Sequence, residues 1–145
     1  MKKIFIILCA ALVLSACNKG TDAPKSDAKK INLPDGVYTK ESEKDEWGGY
    51  VKVSLTVKDG VITEASMDQL NKDGSIKDEN YGKTDGEIKN PGLYKIAQEA
   101  IQNAEKYPQV LVEKGSLDEV EAISGATVSY NLFRDAVNKI LEENK

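Results

Sequence analysis

The sequence predicts an α+β fold, an antiparallel sheet covered on one side by C-terminal helices. Two observations lead there. Val51, Val53, Leu55 and Val57 alternate with Lys52, Ser54 and Thr56, and Lys58-Asp59-Gly60 joins this run to a second one beginning Val61-Ile62-Thr63-Glu64-Ala65 and reaching Met67. Two such runs across Asp-Gly are the strongest local hairpin signal. Far downstream, Leu132, Phe133, Ala136, Val137, Ile140 and Leu141 recur at helical spacing between about Ser129 and Glu142. Strands first and helices later is the order expected when helices gather on one face of a sheet.

The chain opens with a leader rather than with the fold. Lys2 and Lys3 precede an apolar run from Ile4 to Val13, and Leu14-Ser15-Ala16-Cys17 follows. Charge, length and the small residues before a cysteine read as a lipoprotein signal over residues 1–16, with Cys17 as the lipidated residue. The uncharged stretch is too short for the roughly 20 residues of a membrane span. The other cysteine, Cys9, leaves with the leader, so the mature chain has no disulfide and must hold together through its core.

Residues 17–33 are rich in Lys, Asp, Ala, Gly and Ser and read as a lipid-anchored tether. The domain is expected over residues 34–145. Its start lies near the turn signal Leu33-Pro34-Asp35-Gly36, with a first strand at Val37-Tyr38-Thr39. From Asn71 to Gly92, Asp73-Gly74, Tyr81-Gly82, Asp85-Gly86 and Pro91-Gly92 mark a long polar loop. Loops of that length are usually functional or mobile.

Helical periodicity follows. Leu93, Ile96, Ala97, Ala100, Ile101 and Ala104 fall on one face, which the sequence assigns to the core. Pro108 limits that helix near Tyr107. Pro108 to Lys114 reads as a second short helix ended by Gly115, and Ser116 and Glu119 have the spacing of a capping box.

Composition narrows the function. The chain has 20 basic and 24 acidic residues, and loss of Lys2 and Lys3 leaves it more acidic. An acidic surface argues against nucleic acid and against electrostatic adhesion to anionic lipid. Histidine is absent, which removes the usual zinc sites, His-based triads and imidazole acid–base chemistry. No acid, base or nucleophile set suggests a substrate reaction, and no catalytic residue or metal ligand is assigned.

The candidate site is Ser124-Gly125-Ala126-Thr127, which runs through Val128-Ser129 into the last helix. A helix start offers unpaired N–H groups and partial positive charge, and a phosphate placed there is held by them. Gly125 lets the backbone bend, and Ser124, Thr127 and Ser129 add hydroxyls. The same residues also make ordinary helix caps.

Further motifs lie in the same order along the chain. They are Asp35-Gly36-Val37-Tyr38, Asp45-Glu46-Trp47-Gly48-Gly49, Lys58-Asp59-Gly60-Val61-Ile62, Asn80-Tyr81-Gly82 and Ile123-Ser124-Gly125-Ala126-Thr127-Val128-Ser129-Tyr130-Asn131. Together they resemble the small FMN-binding domain of extracytoplasmic flavoproteins, over about Asp35 to Leu141. The resemblance implies that Thr127 accepts FMN from FAD as a phosphoester, in a reaction run by a separate magnesium-dependent flavin transferase. Glu121 stands where the family usually has Asp, one methylene longer, at a position tied to transferase recognition. Ser129 stands where the family often has a hydroxyl. Trp47 and Tyr81, each beside glycine, are candidates to pack on the isoalloxazine, with ordinary packing as the other role open to them.

The expected function is an extracytoplasmic electron carrier, anchored to a membrane by lipid and serving membrane or extracellular redox partners. Two alternatives stand beside it. One is a lipoprotein that binds FMN or another phosphorylated ligand non-covalently. The other is a cofactor-free surface interaction lipoprotein.

Overall fold

A computed structural model describes residues 29–144. The leader (1–16), Cys17 and tether residues 17–28 lie outside the described residues. Three strands, β1 (Gly36–Glu41), β2 (Tyr50–Lys58) and β3 (Val61–Leu70), form one antiparallel sheet in the order β1-β2-β3. Helices α1 (Pro91–Ala104), α2 (Tyr107–Lys114) and α3 (Thr127–Glu143) follow, with a 3-10 turn at Leu117–Glu119.

The alternation in β2 sets the layers. Val51, Val53, Leu55 and Val57 are buried against the helices, while Lys52 is exposed and Ser54 and Thr56 are half-buried on the other face. That outer face is polar, with Thr39 Oγ1 donating to Ser54 Oγ across β1 and β2 at 3.0 Å. One-sided burial of this kind is what an antiparallel sheet permits. Lys58 faces Val61 across the hairpin, and Asp59 and Gly60 both have positive φ, 53° and 75°. Two left-handed residues are the requirement of a type I′ turn.

Helix α3 lies over β1 and β2, and α2 lies over β3. Phe133, Ala136, Val137 and Ile140 of α3 and Tyr107 and Leu111 of α2 are fully buried with the β2 valines and Leu55. Tyr107 stacks on Phe133 with ring centroids 5.8 Å apart. Each fully buried large side chain contributes about 1.5–3 kcal/mol, so this layer dominates stability. The C-terminal half of α3 is also strapped to the end of β1. Lys139 Nζ pairs with Glu43 at 2.8 Å and Asp135 at 3.2 Å, and Lys40 pairs with Glu143.

The structure departs from the sequence expectations at several elements. Leu33 belongs to the core, and Ile31 N–H donates to Gly60 O at 2.8 Å, so the domain gathers in residues that composition left in the tether. Strand β3 runs on to Leu70, and α3 starts at Thr127, two residues before the expected Ser129. Ser116 is no capping box, because its side chain caps nothing and the turn after it lasts three residues.

The largest departure is α1. Ile101 and Ala104 are buried as expected, but Leu93 and Ile96 are 63% and 60% exposed. The N-terminal half of α1 lies beside the 71–90 loop, to which it presents Tyr94, Ala97 and Gln98. The apolar stripe is wider than the surface available to cover it.

Candidate functional site

The motif begins as a β-turn. Ala126 N–H donates to Ile123 O at 3.0 Å, and Gly125, third in the turn, has φ 83°, the left-handed value a type II turn needs there. A side chain at Gly125 would have only Asn103 Nδ2 nearby, at 3.9 Å, so the requirement is conformational and the space beside the turn is open.

Tyr107 clamps this turn from beneath. Its hydroxyl accepts from Ile123 N at 2.9 Å and donates to Ala126 O at 3.2 Å. Burial raises the Tyr107 pKa, a contact with Tyr130 adds to this, and the bond from Ile123 opposes it. The phenol therefore stays protonated and keeps donating through the neutral range. Residues of α3 fix the approach to the turn. Tyr130 Oη donates to Val120 O at 2.9 Å, and Arg134 donates to Leu117 O at 3.2 Å. From α1, Asn103 Nδ2 donates to Ser124 O at 3.3 Å.

What the motif holds rigid it leaves open at one point. Helix α3 has Ala126 at its N-cap position, and no side chain caps its first N–H groups. Thr127 is the first helical residue and is exposed, and among the described residues its hydroxyl has no hydrogen-bond partner. Ser124 is exposed beside it, and Ala126 is buried. Thr127 and Ser124 are therefore not acting as helix caps.

Ser129 ties the first turn of α3 to the sheet. Its hydroxyl donates to Gln69 Oε1 at 3.2 Å. Gln69 is buried, and its Nε2 donates to Ile101 O of α1 at 3.0 Å. One amide at the end of β3 thus joins strand, α1 and α3. The same residue accepts Lys77 N–H at its carbonyl, at 2.8 Å, which starts the middle loop on a fixed footing. Tyr94 Oη donates to Glu79 O at 2.8 Å, and Gln98 Nε2 donates to Tyr81 O at 2.8 Å and Asp78 O at 3.1 Å. The loop is long but pinned along α1.

Between the loop and the start of β2 lies an open cleft of about 570 Å³, with Trp47 and Gly49 on one side and Asn71, Lys72, Lys77 and Tyr81 on the other. Trp47 is 69% exposed and is held outward by a tight turn. Asp45 Oδ1 accepts from Trp47 N at 2.9 Å and Gly49 N at 2.8 Å. Lys77 Nζ lies 4.7 Å from the centre of the Tyr81 ring. Asp73 is held below the usual carboxylate range by the Ser75 hydroxyl and then the Ser75 N–H, which fixes the turn at the cleft's rim.

Trp47 and Tyr81, distant in sequence, therefore line one cleft. The glycines beside them have local duties. A Cβ on Gly82, at φ 90°, would meet Ala97 Cβ at 2.9 Å, and one on Gly48, at φ 85°, would meet Lys72 Cγ at 2.9 Å. Glu121 is exposed on the segment before the turn. Sequence reasoning missed Tyr107, Gln69, Asn103 and Lys77. Tyr107 and Gln69 read as ordinary helix and strand positions, and nothing local marks a residue whose role is a contact across the fold.

Three comparisons bear on these residues. A family model described as an FMN-binding domain matches residues 46–142. A second, described as a prokaryotic membrane lipoprotein lipid attachment site, matches residues 1–18 and so includes Cys17. A crystal structure of a protein from Clostridium perfringens is 30% identical, with a TM-score of 0.60 over 77% of this chain and 88% of that one. A solution structure of a protein from Clostridium thermocellum is 27% identical over 77% of this chain and 92% of that one, with a TM-score of 0.45. No curated protein matches the chain. Among the described residues, no helix is long and apolar enough to cross a membrane.

Proposed function

The chain belongs to the FMN-binding domain family and is a membrane-anchored lipoprotein, and from that premise we propose that it is an extracytoplasmic electron carrier bearing FMN on Thr127 through a phosphoester. The observation that carries this reading is a free hydroxyl on a fixed backbone. Thr127 opens α3, is exposed, and follows a turn whose two ends are both bonded to the Tyr107 hydroxyl.

The residues suit the group. The uncapped first turn of α3 offers N–H donors and partial positive charge to a phosphate. Ser124, Gly125 and Ala126 form the turn that brings Thr127 to the surface, and Ser129 anchors the helix start to Gln69. The cleft falls within the roughly 300–1,000 Å³ of small-molecule sites, and Trp47 and Tyr81 give it two aromatic walls. When bound, the flavin supplies one- or two-electron transfer, and the protein contributes binding, orientation and tuning.

Attachment is a transfer from FAD. A bond forms between Thr127 Oγ1 and the FMN phosphorus, the pyrophosphate bond breaks, AMP leaves, and the hydroxyl proton is lost. A separate magnesium-dependent flavin transferase performs this step, with Glu121 in the segment it recognises. Cys17 carries the lipid. The redox partners are membrane or extracellular proteins.

Intact mass of the denatured mature chain, co-expressed and exported with a flavin transferase, tests the reading. The expected result is a mass increase of one esterified FMN that is lost in Thr127→Ala. A yellow protein whose denatured mass is unshifted would replace it with non-covalent FMN binding. A colourless, unshifted protein would leave a lipoprotein without the cofactor.

A further inference from the structure

We propose that Lys77 is the residue that sets the reduction potential of the flavin, by placing its ammonium in the cleft where the reduced ring gathers negative charge. The inference rests on the flavin reading above and adds a residue that no motif of the sequence marks.

Four observations place the charge. Lys77 lines the cleft together with Trp47 and Tyr81. Its Nζ lies 4.7 Å from the centre of the Tyr81 ring, a distance at which the ring face attracts a cation. Its Nζ also packs over Gly49, where a Cβ would stand 2.9 Å away, so the absence of a side chain at Gly49 makes room for it. Its backbone N–H is bonded to Gln69 O, whose side chain holds Ser129 in the first turn of α3. The Lys77 backbone is thereby tied through Gln69 to the helix start that carries Thr127.

The charge closes no ion pair, although one carboxylate stands beside it. Among the described residues Lys77 is in no ion pair, unlike Lys40, Lys89, Lys95 and Lys139. Asp45 is the carboxylate beside Lys77: Oδ1 takes two backbone N–H groups, and Oδ2 lies over the same point of Gly49 as Lys77 Nζ without closing an ion pair. Lys72 also lines the cleft, but its stem lies over Gly48 and the residue is exposed, whereas Lys77 is half-buried.

Two electrons and one proton added to an oxidised flavin give a reduced form with one extra negative charge on its N1–C2 carbonyl edge, and a charge near that edge tunes the couple. A cation a few ångströms away, partly shielded from water, changes such an equilibrium by about tenfold. Lys77 favours the reduced form by that order. With the ring in this cleft, Trp47 and Tyr81 would hold it and Lys77 would set how readily it accepts electrons.

The test uses the full mature chain, its flavin load confirmed by intact mass, titrated with dithionite against reference dyes. Lys77→Gln is expected to weaken the preference for the reduced form about tenfold, which is about 30 mV for a two-electron couple. Lys77→Arg keeps the charge and stays near wild type, and Lys72→Gln shifts less. A Lys77→Gln potential equal to that of wild type, or to that of Lys72→Gln, overturns the assignment. An unshifted mass overturns the covalent reading instead. The Lys77 question is then put to the same chains with free riboflavin, read by quenching of Trp47, the only tryptophan. There Lys77→Gln should lower the ratio of reduced to oxidised affinity about tenfold, and an unchanged ratio, or no quenching, overturns it.

Discussion

Helices α1 and α3 begin in opposite ways. Helix α1 starts with Asn90, whose side chain accepts Leu93 N–H at 3.1 Å, followed by Pro91 as the first helical residue. Both devices serve the helix itself, one by satisfying a free donor and one by presetting φ. Helix α3 starts with Ala126, which offers no side-chain acceptor, although serines and threonines stand close by. A longer helix with a larger buried face can leave its start uncapped, since packing of Phe133, Val137 and Ile140 supplies most of its stability. The contrast separates a start built for stability from a start left accessible.

The largest effect that tests this contrast is at Thr127. Thr127→Ala should abolish denaturation-resistant flavin completely while moving the unfolding free energy by no more than about 0.5 kcal/mol, as expected of an exposed residue without partners. Equal thermal melts with and without the substitution, on unloaded protein, would check the second half. Tyr107→Phe comes next. It leaves the Ile123 N–H without its buried partner, while Ala126 O keeps the Tyr130 N–H, and should cost about 1–3 kcal/mol in urea unfolding. It should also slow flavin loading, because the turn under Thr127 loosens. An undiminished loading rate would show that the clamp serves folding alone.

Asn90→Ala sharpens the comparison from the other side. It should cost about 1 kcal/mol and leave flavin loading unchanged, the reverse of Thr127→Ala. The smallest effect lies at the far end of α3. Hydrogen bonding to Glu43, then Asp135, raises the Lys139 pKa. A raised lysine contributes its stability fully below the ordinary lysine pKa and loses it as pH climbs through the folded value. Lys139→Met should therefore cost less than about 1 kcal/mol at neutral pH and flatten the loss of stability in the alkaline limb of a pH–stability curve.

Much of the fold was legible because it repeats locally. The period-two run of β2, Asp59-Gly60 and the apolar spacing of α3 each declare themselves within a few residues. Helix α1 was only half legible, since Leu93 and Ile96 have the spacing of core residues and yet stay outside. Periodicity tells which residues share a face and not whether anything covers it. At the site, the Ser124–Thr127 turn stood out by composition, and Trp47 and Tyr81 by their aromatic rings. The supports did not. Tyr107, Gln69 and Asn103 act on residues 16, 60 and 21 positions away, and contacts of that range leave no trace in a local pattern.

The hairpin turn at Asp59-Gly60 has a further consequence. Incoming chain is fastened there, through Ile31 on Gly60 and Asp35 on the Asp59 N–H at 2.7 Å. The Trp47–Tyr81 cleft opens at the other end of β2, nine residues along, or about 30 Å away. The chain thus enters the domain at one end of the hairpin and the cleft opens at the other, so a partner can reach the cleft without meeting the entering chain.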